Sequence, residues 1–428
     1  MKPRFLMLAG WLLLGLLVAR AFPAQAEPGV LRLGDALRAA AENFDVAVAR
    51  SGLDAARADV LAADHDPLPM LTAKASQLDF QHGLGAGNWF ADKRIDKSLG
   101  VDWTWERGNK RALRTAAAQA AAAAARGDLQ DVRRQQLGLA WGAYFDLLAA
   151  QQRVTEVQQL FQGADGLLAA MRARHKVGDV SAQDLARTEI ETTRARLDLQ
   201  SARAARDQAG NALARLIGRS QPDLMADESA WPVDDASLAA PLAESQVVAL
   251  IADSPDVQAA QARVQAAQAV LDGTIAARKS DVTWGVSVDH WPGVSTRQLE
   301  LRLQVPLQLG YEQQGEIGRA RAQLQQAVEL EAKTRGLAQA ELSRVGLALR
   351  ATGMVLAAQE REVLPKARQV LTQAELAYQK GGIPLTDLIE ARRGLRAALL
   401  DALAARAEHA RASGAWRLLT RPDLIEHL

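Results

Sequence analysis

The sequence predicts a mainly α-helical, internally duplicated protein that also carries four β-strands of the kind found in membrane β-barrels. Three observations lead to this fold class. Two similar turn segments lie 203 residues apart, two long proline-free tracts consist of helix-forming residues, and two shorter regions alternate apolar with polar residues. Each copy is therefore expected to contain a helix, a β-hairpin, a long coiled-coil helix and a return helix.

The first residues have the pattern of a secretory signal peptide. Lys2 and Arg4 precede an apolar run that ends at Arg20, and residues 24–26, Ala-Gln-Ala, are typical of a cleavage site. A membrane anchor is the alternative, but an apolar run of about 15 residues is short for a membrane span. We expect residues 1–26 to be removed on export.

Composition argues against several function classes. The chain has 51 basic and 50 acidic residues, so it lacks the positive field that attracts nucleic acid. Cysteine is absent, which excludes disulfides. The six histidines are scattered without ligand spacing, and no Walker motif, nucleophile elbow or His-carboxylate motif occurs. We expect no enzymatic activity, no cofactor and no fixed metal site.

The first repeat is expected over residues 27–220. A helical pattern covers about residues 33–63, and a β-hairpin is expected at about residues 67–108. The proline-free tract at residues 109–175 predicts a rod of about 100 Å, at roughly 1.5 Å per residue. Such a rod needs other helices beside it, which predicts a bundle or coiled coil.

The second repeat should follow the same order. Ser181 and Asp184 resemble a capping pair that starts the return helix of the first repeat. Residues 221–242 are irregular and proline-containing, and are expected to form an equatorial segment between the repeats. The second repeat then occupies residues 243–428, with its β-hairpin at about residues 281–310.

The two turn segments are the clearest sign of duplication. Their sequences are HKVGDVSAQDLARTEIE at residues 175–191 and YQKGGIPLTDLIEARRG at residues 378–394. In each, a glycine stops one helical pattern and a second pattern begins within about five residues, which is typical of a tight helical hairpin. The pairs that share the 203-residue offset are Gly178 and Gly381, Asp184 and Asp387, and Leu185 and Leu388.

Alternating residues predict the strands. Apolar residues occupy every second position at Leu99, Val101, Trp103 and Trp105, at Val282, Trp284, Val286 and Val288, and at Leu299, Leu301, Leu303 and Val305. The first strand, at about residues 70–80, is weaker. Amphipathic strands of about ten residues suit a membrane barrel, although an ordinary sheet resting on helices has the same alternation. Four strands cannot close a barrel, so several chains would have to pool them.

Aromatic residues concentrate in the two hairpin regions, as in the girdles of membrane barrels. They are Phe80, Trp89, Phe90, Trp103, Trp105, Trp284, Trp291 and Tyr311. We predict that Trp89, Trp103, Trp105, Trp284 and Trp291 form the barrel's aromatic girdle.

Over essentially the whole mature chain, this arrangement resembles the TolC-type outer-membrane efflux channels. Two stretches look closest to the heavy-metal efflux branch: ERGNKRALRTAAAQ at residues 106–119 and QQGEIGRARAQL at residues 313–324. The second differs at Gln313, where that branch has asparagine, and the first has Arg107 in place of a glycine.

The resemblance implies a homotrimer in the outer membrane, with a twelve-stranded barrel continued by a periplasmic helical tunnel. It also implies a periplasmic adaptor protein and an inner-membrane RND-type transporter as partners, and contact with outer-membrane lipid. The expected function is a passive exit duct, with heavy-metal cations as cargo. A duct for drugs or for type I secretion is the alternative, and a soluble periplasmic coiled-coil scaffold is the alternative of another class.

The resemblance also places functional residues at the tunnel tip. Tyr378 matches a tip tyrosine, Asp387 and Glu390 match an acidic pair that constricts the pore, and Asp184 is the equivalent aspartate of the first copy. The alternative is that these acidic residues only stabilise the N-termini of their helices. The expected adaptor contacts are the turn residues Gly178, Asp179, Val180, Ser181, Gly381, Gly382, Ile383 and Pro384. Ile383 replaces an arginine that latches the closed tip in some relatives, so a latch of that kind is not expected.

Overall fold

The computed structural model describes residues 30–76, 81–82, 95–219, 224–232, 242–291 and 295–421. The predicted signal peptide, Trp89 and much of the predicted equatorial segment lie outside these ranges. The first half contains α1 (Leu33–Ala40), α2 (Phe44–Ala63), β1 (Met70–Ser76), β2 (Asp96–Trp105), α3 (Lys110–Lys176) and α4 (Ala182–Leu216). The second contains α5 (Glu244–Ala252), α6 (Pro255–Ala276), β3 (Val282–Trp291), β4 (Ser295–Gln304), α7 (Gln314–Ala358), α8 (Leu364–Gln379) and α9 (Leu385–Thr420).

The opening helix of each repeat is divided in two, where the sequence pattern predicted one. In the first repeat, Asn43 caps α2 by accepting a hydrogen bond from the amide of Val46 at 3.1 Å. In the second, α6 begins with Pro255, which has no amide proton to continue α5. A side-chain cap and a proline stop a helix even where apolar periodicity runs on through them.

A five-residue π-helical turn, Gln359–Val363, joins α7 to α8. Pro365 follows as the second residue of α8. Its ring cannot donate a hydrogen bond and would collide with the carbonyl four residues earlier in a regular α-helix. The wider π turn accommodates the ring, so α7 and α8 continue each other.

The four strands form one antiparallel sheet in the order β1-β2-β3-β4. The two predicted hairpins are joined because β2 pairs with β3, for instance Trp103 with Trp284. Val101 lies opposite Leu71 on one side and Val286 on the other, and Val286 lies opposite Leu301. Apolar residues therefore share one face, where Leu71 and Leu301 are 70% and 75% exposed.

The helices form an elongated body around α3. This helix contacts α2 and α6 towards the sheet, α1 and α9 near its middle, and α4 towards its C-terminus. The largest core lies near its middle, where Tyr144 and Phe145 are fully buried beside α1, the end of α4 and α9. Among the helices described here, none has an apolar stretch long enough to cross a membrane.

Tyr144 and Gln151 bind the segment between the two repeats to this core. The Tyr144 hydroxyl donates to the carbonyl of Leu31 at 3.1 Å and accepts from the amide of Asp227 at 3.0 Å. Gln151 makes two bonds with the backbone of Ala226. The backbone amides and carbonyls of Ala226 and Asp227 thus have partners, as burial requires.

Candidate functional site

The two tip turns have the same hydrogen bonds. At the end of α3, Gly178 donates to the carbonyl of His175 and Asp179 to that of Arg174, both at 3.0 Å. At the end of α8, Gly381 donates to Tyr378 at 3.0 Å and Gly382 to Ala377 at 2.8 Å. These are the paired bonds of a Schellman motif. Gly178 and Gly381 have φ of +80° and +75°, where a β-carbon is strained.

The helix starts after these turns differ. Ser181 caps α4 by accepting from the amide of Asp184 at 3.0 Å, and its hydroxyl donates to the Asp184 carboxylate at 2.8 Å. Ser181 therefore caps the helix as the sequence predicts, but the Asp184 carboxylate accepts from the Ser181 hydroxyl where a full capping box would use the Ser181 backbone amide. Pro384 takes the capping position of α9 with no side-chain bond. The Asp184 carboxylate is therefore committed to its own helix start, whereas the Asp387 carboxylate accepts a longer bond from Thr386, at 3.3 Å.

Tyr378 lies inside the tip. It packs in an apolar cluster with Met171, Leu385 and Leu388, and its hydroxyl donates to the Met171 sulfur at 3.5 Å. Because Met171 belongs to α3 while the other three residues belong to α8 and α9, the cluster joins the two helical hairpins. The position of Tyr378 favours a role in holding the hairpins together.

Asp387 and Glu390 lie together along an open groove between α8 and α9. The Glu390 side chain is 78% exposed. Asp401 lines the same groove, and alanines and Gly394 form much of its floor. Of the four predicted pore residues, the structure therefore groups Asp387 and Glu390 and places Tyr378 and Asp184 elsewhere. Sequence reasoning missed Asp401, although it follows Asp387 by about four helical turns, a spacing that puts both residues on one helix face.

Ion pairs between the two hairpins form a second set of tip contacts. Arg393 on α9 makes two hydrogen bonds to Glu191 on α4, with Nε 3.2 Å from Oε2. Further from the tip turns, Arg396 Nη2 on α9 lies 2.6 Å from Asp198 Oδ2 on α4. The hydrogen bonds from Arg393 lower the pKa of the Glu191 carboxyl, and the same bonds raise the pKa of Arg393. We call Glu191–Arg393 and Asp198–Arg396 the hairpin bridges.

The hairpin bridges supply a link that the sequence did not suggest. Ile383 is half-buried at the tip and carries no charge, so it cannot make the arginine latch of some relatives. The bridges lie further from the turn, and Glu191 and Arg393 line a cavity of about 340 Å³ together with Leu160, Leu371 and Leu395. Sequence reasoning missed them because their partners lie about 200 residues apart.

The sheet has two chemically distinct faces. Trp103, Trp105 and Trp284 lie on the apolar face near the helical end of the sheet and are 45%, 62% and 46% exposed. Trp291 lies at the opposite end of β3, beyond a register shift. The predicted girdle residues within the described ranges thus sit near both ends of the strands.

The two stretches similar to the heavy-metal branch form the junction between sheet and helices. Arg114 pairs with Glu106 at 3.0 Å, Arg111 with Asp64 at 3.0 Å, and Lys110 with Asp281 at 2.7 Å. The residues before α3 and α7, Asn109 and Gln313, both have left-handed backbone conformations, with φ of 58° and 63°. Asparagine tolerates this conformation, and it occupies the first of the two positions.

Within the described part of the chain, no group of three or more histidine or acidic side chains is arranged to hold a metal ion.

Comparison with known proteins agrees with this architecture. The family model described as outer membrane efflux protein matches residues 37–219. The cobalt-zinc-cadmium resistance protein CzcC of Cupriavidus metallidurans is 26% identical over 87% of this chain and 86% of its own length. The solved structure of CusC superposes with a TM-score of 0.76 and 18% identity, covering 91% of both chains. The open-state MtrE outer membrane channel of Neisseria gonorrhoeae gives 0.74 and 18% identity, covering 91% of this chain and 89% of its own.

Proposed function

We propose that this chain is an outer membrane efflux channel of the TolC type, and that it is the exit duct of a tripartite system that exports heavy-metal cations. The chain acts as a passive pore, without enzymatic chemistry. The observation that best supports this proposal is the two-sided sheet. Its apolar face is exposed, and its polar face holds charged side chains. A strand with one lipid-facing and one water-facing side needs this division.

Three copies would complete the channel. A four-stranded sheet leaves β1 and β4 as open edges, which lipid does not tolerate, and pooling three sheets gives a closed twelve-stranded barrel. The helical body also leaves large apolar side chains open, including Leu337, Leu347 and Met354 on α7, which are 59%, 61% and 70% exposed. Neighbouring chains would cover such residues. Channels of this type are homotrimers that work with an adaptor and an RND pump, and we propose the same partners here.

Two features favour metal cations as cargo. CzcC, whose name records resistance to cobalt, zinc and cadmium, resembles this chain along most of its length. Asp387, Glu390 and Asp401 line one groove, and threefold symmetry would turn each into a ring of carboxylates. Rings of acidic side chains favour cations in channels. Loose acidic rings also suit a duct, because tight metal sites would slow release.

Two measurements test this function. In membrane fractionation, the protein should be recovered in the outer membrane as a detergent-resistant trimer, and recovery from the soluble periplasm would support the scaffold alternative. A deletion strain should lose growth on zinc, cobalt or cadmium salts and regain it when the gene is returned. Sensitivity confined to a panel of drugs would refute the metal assignment and leave the channel intact.

A further inference from the structure

A cleft lies where the sheet meets the helical body. The chain leaves β2 at Trp105, turns through Gly108 and enters α3, while Lys279 stands just before β3. The Lys279 side chain packs against Gly108, so that a β-carbon on this glycine would come within 3.0 Å of it. Trp105, Arg107, Gly108 and Lys279 line this cleft together, and we call it the rim cleft.

The carboxylates of the rim cleft are already engaged. Arg111 binds Asp64 and Asp66, at 3.0 and 2.9 Å, and Arg114 binds Glu106. Asp281, just outside, is held by Lys110 and by the backbone amide of Arg107.

Two cationic side chains of the rim cleft have no ion-pair partner among the described residues. Among the residues that the structure describes, the Arg107 and Lys279 side chains have no carboxylate within ion-pair distance, and both residues are exposed. Both cations line the same cleft without an ion-pair partner, and because Asp64 and Asp66 share the single charge of Arg111, the charged groups of the rim cleft sum to one net positive charge.

The cleft borders the apolar face of the sheet. Trp105 is 62% exposed on this face, next to Trp103 along the same strand. Tryptophan at the end of a membrane strand marks the boundary between hydrocarbon and head groups. β2 and β3 are the inner strands, so pairing between chains at β1 and β4 leaves the rim cleft accessible.

We propose that the rim cleft binds the head group of an anionic phospholipid in the periplasmic leaflet, with the phosphate between Arg107 and Lys279 and the acyl chains along Trp105. This inference rests on the proposed placement of the strands in the membrane. Charge complementarity selects the lipid, since Lys and Arg side chains at a membrane surface attract anionic head groups. A zwitterionic head group would carry its own cation into the cleft and bind less well.

Lipid retention by the full-length trimer tests the proposal. Native mass spectrometry would follow phosphatidylglycerol and phosphatidylcholine bound to the detergent-purified protein. The unaltered protein should retain phosphatidylglycerol on the order of tenfold more tightly than phosphatidylcholine. The double variant Arg107→Gln/Lys279→Gln should lose this preference. The matched control Lys176→Gln/Arg187→Gln removes two exposed cations at the far end of the helices and should keep it.

The outcomes separate this proposal from the proposed function. A protein that forms no trimer and enters no membrane fraction contradicts the channel itself. A membrane-inserted trimer whose double variant retains phosphatidylglycerol as well as the control overturns the rim cleft alone. Displacement of the lipid by millimolar inorganic phosphate would also overturn it, because a phospholipid held partly by its acyl chains resists a free anion.

Discussion

Asp102 on β2 and Arg302 on β4 form an ion pair across the strand that separates them. Arg302 Nη2 lies 2.7 Å from Asp102 Oδ1, although β3 runs between the two strands. The residue between them is Gly285, which is opposite both in the sheet register. Thr72 on β1 also donates to Asp102, at 2.9 Å. Three strands are therefore linked through polar side chains on one face of the sheet.

This geometry predicts that Gly285→Ala destabilises the sheet. A β-carbon at this position would collide with the Asp102 carboxylate and come within 3.1 Å of the Arg302 guanidinium. Both groups are the ends of side chains that can move aside, so the expected cost is the loss of their ion pair, about 0.2–1 kcal/mol. The apparent melting temperature of the purified protein should fall slightly. Gly336→Ala on α7, where nothing lies within 4 Å, is the control and should leave it equal or higher. Equal melting of both variants would contradict the role of Gly285.

Gln313→Asn should stabilise the protein. Gln313 has φ of 63° immediately before α7, and asparagine tolerates this left-handed conformation better than glutamine does. We expect a gain of up to about 1 kcal/mol in the free energy of unfolding, measured by chemical denaturation. The converse change Asn109→Gln, at the equivalent site with φ of 58°, should lose a similar amount. Gln326→Asn, on the exposed middle of α7, should lose a little stability because asparagine is the poorer helix former; a gain there would argue against the backbone explanation.

Acid should release the Glu191–Arg393 bridge. The hydrogen bonds from Arg393 lower the pKa of Glu191 in the folded protein. A carboxyl with a lowered pKa contributes stability above its ordinary value of 4.5 and loses that contribution as the pH falls through the folded-state value. The two hairpins should thus stay together near neutral pH and separate more readily below pH 4.5.

The absence of cysteine allows a direct measurement of this release. Spin labels on cysteines introduced at Lys176 and Lys380 report the distance between the two tips. The distance distribution should broaden in acid, and Glu191→Gln should broaden it already at neutral pH. Glu189→Gln is the control, because Glu189 pairs with Arg172 inside one hairpin. Broadening in the control of equal size would assign the effect to the fold in general.

The acidic groove should control ion selectivity. Replacing Asp387 and Glu390 together by asparagine and glutamine would remove two carboxylate rings from the proposed threefold pore, so cation selectivity in bilayer recordings should fall. Asp401→Asn should lower it further, because Asp401 lines the same groove. Asp184→Asn should change selectivity less, since its carboxylate accepts the Ser181 hydroxyl at the helix start. Unchanged currents in the double variant would rule out a ring at this position.

Much of the architecture could be predicted because its causes are local. The proline-free tract at residues 109–175 became α3 almost residue for residue, and Gly178 and Gly381 end their helices with the same backbone bonds. One prediction was incomplete for a local reason as well. The Asn43 cap divides the opening helix of the first repeat, where the pattern predicted one helix.

The candidate site was less accessible to sequence reasoning. Spacing put Asp387 and Glu390 on one helix face, and the structure keeps them together in a groove. Tyr378, three residues before a tip glycine, packs instead against Met171 of the other hairpin. The rotation of α8 about its own axis determines which way such a side chain points, and that rotation depends on packing between segments far apart in the chain.

The sequence by itself determined the duplication, the order of helices and strands, the position of the tip turns and the two-faced character of the strands. Each of these follows from contacts within about four residues or from alternation along one strand. Only the tertiary structure decided that β2 pairs with β3, that Asp102 meets Arg302 across 200 residues, and that Arg393 meets Glu191 across 202. Such pairs depend on how whole elements dock. An exposed ion pair contributes little free energy, so the packing of the helices and strands determines which charged side chains meet.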